Sequence, residues 1–371
     1  MNSCKLLPIL ALLFFGSPEW LYAQEITSRS ESRRYCFQRS TERIGQRFVD
    51  WECGKDGRTI DCNERLELDP GSNLVVLGSS GRPFSGRCET CHENGLLERR
   101  VEFLNGRSHG TDTTYYPSGC PQVIRTHVEG AENGVWTFYN DSSGLIAWQI
   151  GYFNGLKHGQ SIYYRNFQVG TDHLTMQIGN AERKVRFGLY DSDTLRIENF
   201  NMGRLHGPRL DFFPGSKLRR EVHYQNGLMH GPFIVYNEEG MVLQENNFNQ
   251  GKKDGEWKFY YENGALLKIE NWSNDVPNGV FKWFFINGNI QKVEEFDLRG
   301  RKNGWFEERF PDDKIKKRTL YRRGEIVEDH EFDQYGNEIR TVGEAVNTSK
   351  QDDELPTQKS GRKWWQFWKR K

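Results

Sequence analysis

Cys88, Cys91 and His92 form a Cys-x-x-Cys-His run, the pattern that attaches a c-type haem covalently. The same thiols could cycle as a dithiol–disulfide pair, and with Cys120 and His92 they make a four-ligand set for zinc. Each chemistry demands its own scaffold. A haem needs a pocket and usually a second axial ligand, and no Met-bearing segment of the right kind accompanies this run. A redox pair needs both sulfurs on one side, whereas strand positions three apart point to opposite faces. The plainer chemistry is structural disulfide formation. Setting aside residues 1–23 leaves six cysteines, Cys36, Cys53, Cys62, Cys88, Cys91 and Cys120, all in the first third of the chain. An even number in an exported chain favours disulfides, and six cysteines allow 15 pairings that sequence cannot choose among.

A second group with chemical character closes the chain: Trp364, Trp365, Phe367 and Trp368 among Lys363, Lys369, Arg370 and Lys371. On a helix the four rings would cover one arc, with Lys363 and Lys369 on the other side. Indole rings beside basic residues suit an anionic membrane surface, and equally a protein surface. Residues 337–360 read as a polar, flexible linker to this tail at 361–371.

Export is expected from the other end. Lys5 precedes the apolar stretch Leu6 to Phe15, and Tyr22-Ala23 marks a cleavage point before Gln24. Residues 1–23 therefore read as a signal peptide, too short in their apolar part to span a bilayer. Cys4 lies before the apolar stretch, where it cannot accept a lipoprotein anchor. The mature chain is expected in the periplasm, the cell envelope or the medium.

What must position these groups is a repeat. A Gly-x-x-x-Gly loop returns with its second glycine at Gly110, Gly134, Gly159, Gly207, Gly231, Gly255, Gly279 and Gly304, at intervals of 24 or 25 residues and once of 48. Counting back reaches Gly86. The interval of 48 is expected to hide a degraded copy at Gly179, with Arg183 in place of its second glycine. Gly324 opens an incomplete last copy ending near Gly336. A fixed period of this size implies a repeat architecture. Within one copy, Trp257, Phe259 and Tyr261 alternate with Lys258 and Tyr260, as on one face of a strand. Asn263-Gly264 signals a hairpin turn, and Leu267 and Ile269 share a face of the returning strand. Trp136, Phe233 and Phe281 repeat the plan. In this frame Cys88 takes the place of Trp257, and His92 that of Tyr261.

The residue before each second glycine is His109, Asn133, His158, His206, His230, Asp254, Asn278 or Asn303. These types are enriched at positive φ, so turn residues are expected there. A metal ladder of histidines is disfavoured, because adjacent copies sit two strand spacings, roughly 10 Å, apart. Glu221, Glu245 and Glu294 are expected to line up as a charge ladder on the polar face.

The fold class is therefore all-β: an elongated antiparallel sheet of about ten sequential 24-residue hairpins over residues 82–336, preceded by a cysteine-containing cap at 24–81. Asn73 to Leu77 reads as a strand of that cap. The Asn-Gly-x-x-His-Gly turns (Asn105 to Gly110, Asn154 to Gly159, Asn226 to Gly231) and the strand Gly255 to Tyr261 resemble MORN repeats. The resemblance is to the variant type found in bacterial YwqK-like proteins labelled as antitoxins. It implies a scaffold for protein or membrane contact and brings no catalytic residue.

Composition agrees with a scaffold. Lys plus Arg and Asp plus Glu are both 51, which does not mark a nucleic-acid binder. Gly-x-Ser-x-Gly, a phosphate-binding loop and His-Glu-x-x-His are all missing from the sequence. The expectation is an exported, non-enzymatic repeat scaffold with a protein partner and no cofactor. An exported redox or haem protein using Cys88, Cys91 and His92 is one alternative. A cytosolic toxin-neutralising protein is another.

Overall fold

The computed structural model describes residues 59–178 and 181–343. The expected signal peptide, Cys4, Cys36, Cys53, most of the linker and the aromatic tail lie outside them. Ten hairpins follow one another, spanning 86–104, 107–128, 134–153, 156–201, 207–225, 228–249, 255–273, 279–296, 304–322 and 325–343. Each strand pairs antiparallel with its neighbours in chain order, so one continuous sheet results. Among the described residues the single helix is the turn Cys62–Arg65, capped by the Asp61 side chain.

Two kinds of turn alternate, and both are local. Between copies, two consecutive residues take positive φ: Asn105-Gly106, Asn154-Gly155, Asn226-Gly227 and Gln250-Gly251. That is the requirement of a two-residue hairpin turn of right-handed sheet twist. Within a copy, Gly264 has φ +82° while Asn263 does not take positive φ, and the ladder shifts register between Phe259 and Tyr260. The within-copy turn is thus a longer bulged loop. The shift also places Ile269 opposite Lys258, on the face away from Trp257.

The residues before the second glycines do not take positive φ, contrary to expectation. The glycine itself does, at +89° in Gly110 and +77° in Gly255. The preceding side chain instead reaches one copy onward. His109 Nδ1 accepts from the Glu129 N–H (3.4 Å), His230 Nδ1 from Gln250 (3.4 Å) and Asp254 Oδ1 from Asn274 (3.4 Å). Asn303 Oδ1 accepts from Arg323 in the same way (3.3 Å). His, Asn and Asp share this place because each offers an acceptor at the same reach. The donors are the positive-φ residues of the following turn, so the side chain steadies a conformation that costs a non-glycine residue energy. A backbone ladder runs alongside: Gly227 N–H donates to the Leu205 carbonyl (2.8 Å) and Gly251 N–H to that of Met229 (2.7 Å).

The interval of 48 does not contain a degraded copy. Strands Leu156–Ile178 and Ala181–Asn201 form one long hairpin, with Met176 paired to Arg183 far from any loop between copies. The second period is spent on an arm. At the end, strand Glu338–Gly343 completes the last hairpin, so the sheet reaches Gly343 rather than Gly336. At the start, Arg82–Pro83 pairs with Leu74–Leu77 in a separate three-stranded sheet with Leu66–Asp69. The repeat sheet begins at Gly86, and Thr59–Asp61 covers its first strand in parallel.

Gly255 tests the turn logic. Open space surrounds the place a Cβ would occupy, so any cost of substitution is conformational. Gly255→Val should destabilise the protein by about 1–3 kcal/mol, read as a lower denaturant midpoint with unchanged slope.

Candidate interaction surface

Three parallel rows cross the strands on the face that carries Trp257. In the first row each second glycine stands opposite an aromatic ring or a histidine. Gly86 faces Phe103, Gly110 His127, Gly134 Tyr152, Gly231 Phe248, Gly255 Trp272, Gly279 Phe296 and Gly304 Tyr321. The sequence reading missed this column, although it recurs 17 or 18 residues after each of these glycines. A glycine offers no side chain to pack, so the ring opposite packs along the sheet instead, as Trp272 does on Trp257 and Phe281.

The second row is the core: Cys88, Val101, Asp112, Trp136, Ile150, Ser161, Glu198, Val222, Asn246, Trp257, Glu270, Phe281, Phe306 and Thr319 are all buried. Rings of the first two rows interlock. Phe233, Phe248, Trp257, Trp272, Phe281, Phe296, Phe306 and Tyr321 touch in succession, with centroids 4.6–6.3 Å apart. Each such contact contributes about 0.5–1.5 kcal/mol beyond area burial. Trp257 also donates its indole N–H to the Asn247 carbonyl (2.9 Å).

Cations overlie the rings. Lys253 Nζ lies 4.5 Å and 4.1 Å from the ring centres of Trp257 and Trp272, and Lys302 caps Phe306 and Tyr321. In the third row, Lys268 sits between Phe259 and Trp283, and Lys292 over Trp283. The aromatic face is therefore not purely apolar. Glu294 faces Phe281 and pairs with Lys292, as Glu270 faces Trp257 and pairs with Lys268. Glu221 and Glu245 lie on the opposite face, opposite Ile234, so the three expected ladder glutamates do not share a face.

Between the ring blocks the rows turn ionic. Asp211 accepts from Arg196 Nε (2.6 Å) and Arg220 Nη2 (2.7 Å), with Arg209 beside it. Burial pushes the Asp211 carboxyl up, and the hydrogen bonds and field of these arginines outweigh it, leaving it below its ordinary value. Burial and the neighbouring Glu198 raise the Tyr163 phenol.

Cys88 is buried in the second row, at the register of Trp257, and its sulfur is bonded to Cys62. That sulfur is committed and is not a free thiol for a haem thioether, a zinc ion or a pairing with Cys91. Cys91 is itself disulfide-bonded. His92 Nε2 lies 2.9 Å from the Tyr115 carbonyl, one copy onward. Tyr116 and Tyr261 make the same bond through their hydroxyls to Tyr139 and Phe284. His92 thus fills a structural tyrosine position. Cys120 is buried. The cap packs Ile60, Cys62, Leu66, Val75 and Leu77 over Phe84, Cys88 and Val101, covering the aromatic face at the first copy.

Trp257→Ala should cost about 3–5 kcal/mol. Because copies contact mainly their neighbours, hydrogen exchange should accelerate in 228–296 and stay protected in 86–153. Uniform acceleration would show that the sheet does not transmit stability locally.

The family model for the MORN repeat variant matches residues 205–226 and 253–274. Both segments start in the loop before a second glycine and end in the next turn between copies. No curated protein matches. Among solved structures, the crystal structure of TcdB2-TccC3-Cdc42 is 10% identical, with TM-score 0.14, over 73% of this chain and 18% of that one. The Photorhabdus luminescens Tc holotoxin pore is 11% identical, with TM-score 0.13, over 75% of this chain and 16% of that one. The chain spans less than a fifth of those proteins, and scores so low do not establish a shared fold. The glycine period and sequential hairpins run in phase with the matched segments, so the chain carries MORN repeats of the variant type.

Proposed function

We propose that this repeat scaffold is exported and non-enzymatic, and that it binds a protein partner through its aromatic and cationic face. One observation carries the reading: rings with cations over them recur in two blocks, around Trp136 and from Phe233 to Tyr321, while the cap packs over the first copy alone. Trp148 is 40% exposed, stacked on Phe138 at 5.0 Å. Lysines 268 and 292 add charge beside Trp283. Exposed rings with cations at their faces are the chemistry of interface anchors. The residues that could have supported redox or haem chemistry have structural uses, Cys88 in a disulfide and His92 in the ladder between copies. Disulfides belong to oxidising compartments, which supports export and disfavours the cytosolic toxin-neutralising alternative.

Affinity capture from the native envelope fraction tests the reading. The mature chain should retain a specific protein, and Lys268→Gln with Lys292→Gln or Trp148→Ser should reduce its recovery while circular dichroism stays unchanged. Equal recovery by all variants would remove this face as the binding surface.

The tail, Trp364 to Lys371, is proposed to hold the protein at an anionic membrane surface. Each basic residue near such a surface adds about 1 kcal/mol. The mature chain should sediment with anionic vesicles, less at high salt, and a chain ending at Ser360 should not. Equal sedimentation of both would assign the tail to protein contact.

A further inference from the structure

In two copies a tyrosine ties the turn inside the hairpin to the next copy. Tyr116 and Tyr261 each donate a hydroxyl to a carbonyl one copy onward. Phe285 holds the place of Tyr261 in the following copy and has no hydroxyl to give. Between hairpins 279–296 and 304–322 there is an opening of about 470 Å³, a size that suits a small ligand. It is lined by the half-buried rings of Phe285 and Phe310, which hold equivalent turn positions, and by Trp283 of the third row. The Asn287 and Asn289 amides both donate to the Pro311 carbonyl (3.2 and 2.8 Å), joining the two turns beside the opening. Adjacent copies stand roughly 10 Å apart. A third ring placed between Phe285 and Phe310 would therefore lie about 5 Å from each, within the range of aromatic pairs.

Most charges around the opening are already committed. Lys292 pairs with Glu294, Asp312 with Lys314, and Asp313 with Arg309. Arg309 also pairs through Nη2 with Glu307, yet its Nε–H is shielded from solvent and has no acceptor among the described residues. Lys316 lines the opening, is exposed, and has no ion-pair partner among the described residues. Glu308 is exposed and unpaired as well, although Lys292 and Lys317 stand opposite it in the ladder. We propose that this opening binds a carboxylate carried on a flat ring, with the ring between Phe285 and Phe310 and the carboxylate accepting from Lys316 Nζ and Arg309 Nε. Lys292, Arg309 and Lys316 against the one carboxylate of Glu308 make the opening electropositive, which selects an acid over a neutral ring. A shielded N–H without an acceptor costs free energy, and the ligand oxygen relieves that cost. A free aromatic acid and a peptide ending in an aromatic residue share this chemistry. The site lies on the face proposed above for a protein partner but does not depend on that reading, since a free acid fills it in a chain that captures no protein.

Titration calorimetry of the mature chain tests this with phenylacetate, with phenylacetamide, and with the tripeptide Gly-Gly-Phe as its free acid and as its C-terminal amide. Phenylacetate should bind and phenylacetamide should not. Binding of the tripeptide acid but not its amide would identify a peptide C-terminus as a source, whereas binding of phenylacetate alone would restrict the site to free acids. Lys316→Gln, at an exposed position, should weaken phenylacetate on the order of fivefold, and Glu308→Gln should strengthen it. Phe285→Tyr supplies the hydroxyl that Tyr261 has, and should narrow the opening and weaken binding while the strand signature in circular dichroism is retained. No binding of phenylacetate, equal binding of phenylacetate and phenylacetamide, or an affinity that neither Lys316→Gln nor Glu308→Gln moves would each overturn the proposal.

Discussion

Nine of the ten described copies share one constraint, a glycine held at positive φ and paired across the ladder with an aromatic residue or a histidine. Among the described residues the main sheet is a single layer, with the cap over its first copy, and a single layer offers no second sheet to bury side chains against. Its apolar groups can leave water only by packing along the sheet. The glycine permits the loop conformation that starts each strand. The ring then leans on the core residue of its own copy and of the next, as Phe296 does on Phe281 and Phe306. Flat rings serve because they bury area with few rotatable bonds and stack at centroid distances compatible with the strand spacing. The loop lysines complete the arrangement by lying over ring faces, Lys253 on Trp257 and Trp272 and Lys302 on Phe306 and Tyr321.

This economy explains what the sequence made legible. The glycine period and the alternation around Trp257 are local, so they give the hairpins, their order and the row shared by Cys88, Trp136, Trp257, Phe281 and Phe306. The frame even places His92, whose ring takes the part of the Tyr261 hydroxyl. Less legible was whatever depends on register. The bulge after Phe259 decides which returning residues face Trp257, and it puts Glu270 there rather than Ile269. Glu294 is separated from Glu221 and Glu245 because the loop between Phe296 and Gly304 is one residue longer, so equal distance to the next glycine places it on the other face. The aromatic partners of the glycines were visible as a fixed offset, yet their meaning needed the pairing. The pre-glycine residues show a right residue class read for the wrong reason, since acceptor reach rather than backbone preference selects His, Asn and Asp.

The arm shows the limit of counting. An interval of two periods is equally satisfied by two hairpins or by one of double length. Strand-forming residues without a pair of glycines at the midpoint favour the second, because the turn between copies needs two consecutive positive-φ positions. Arg183, at the place of a second glycine, lies on a strand and pairs with Met176. The extra residues then extend one ladder instead of starting another.

At the base of this arm the rings give way to Ser161, Glu198, Arg209 and the arginines around Asp211. A ring row transmits stability because each contact is apolar and continuous, whereas ion pairs at a partly exposed surface contribute little each and are screened by salt. The sheet is therefore two aromatic blocks, one from Trp136 to Tyr152 and one from Phe233 to Tyr321, joined by a polar seam under the arm. Asp211 is buried among three guanidinium groups, which gives that seam a specific geometry even where its net stabilisation is small. The seam is thus where the two blocks can respond separately, and the arm stands on it.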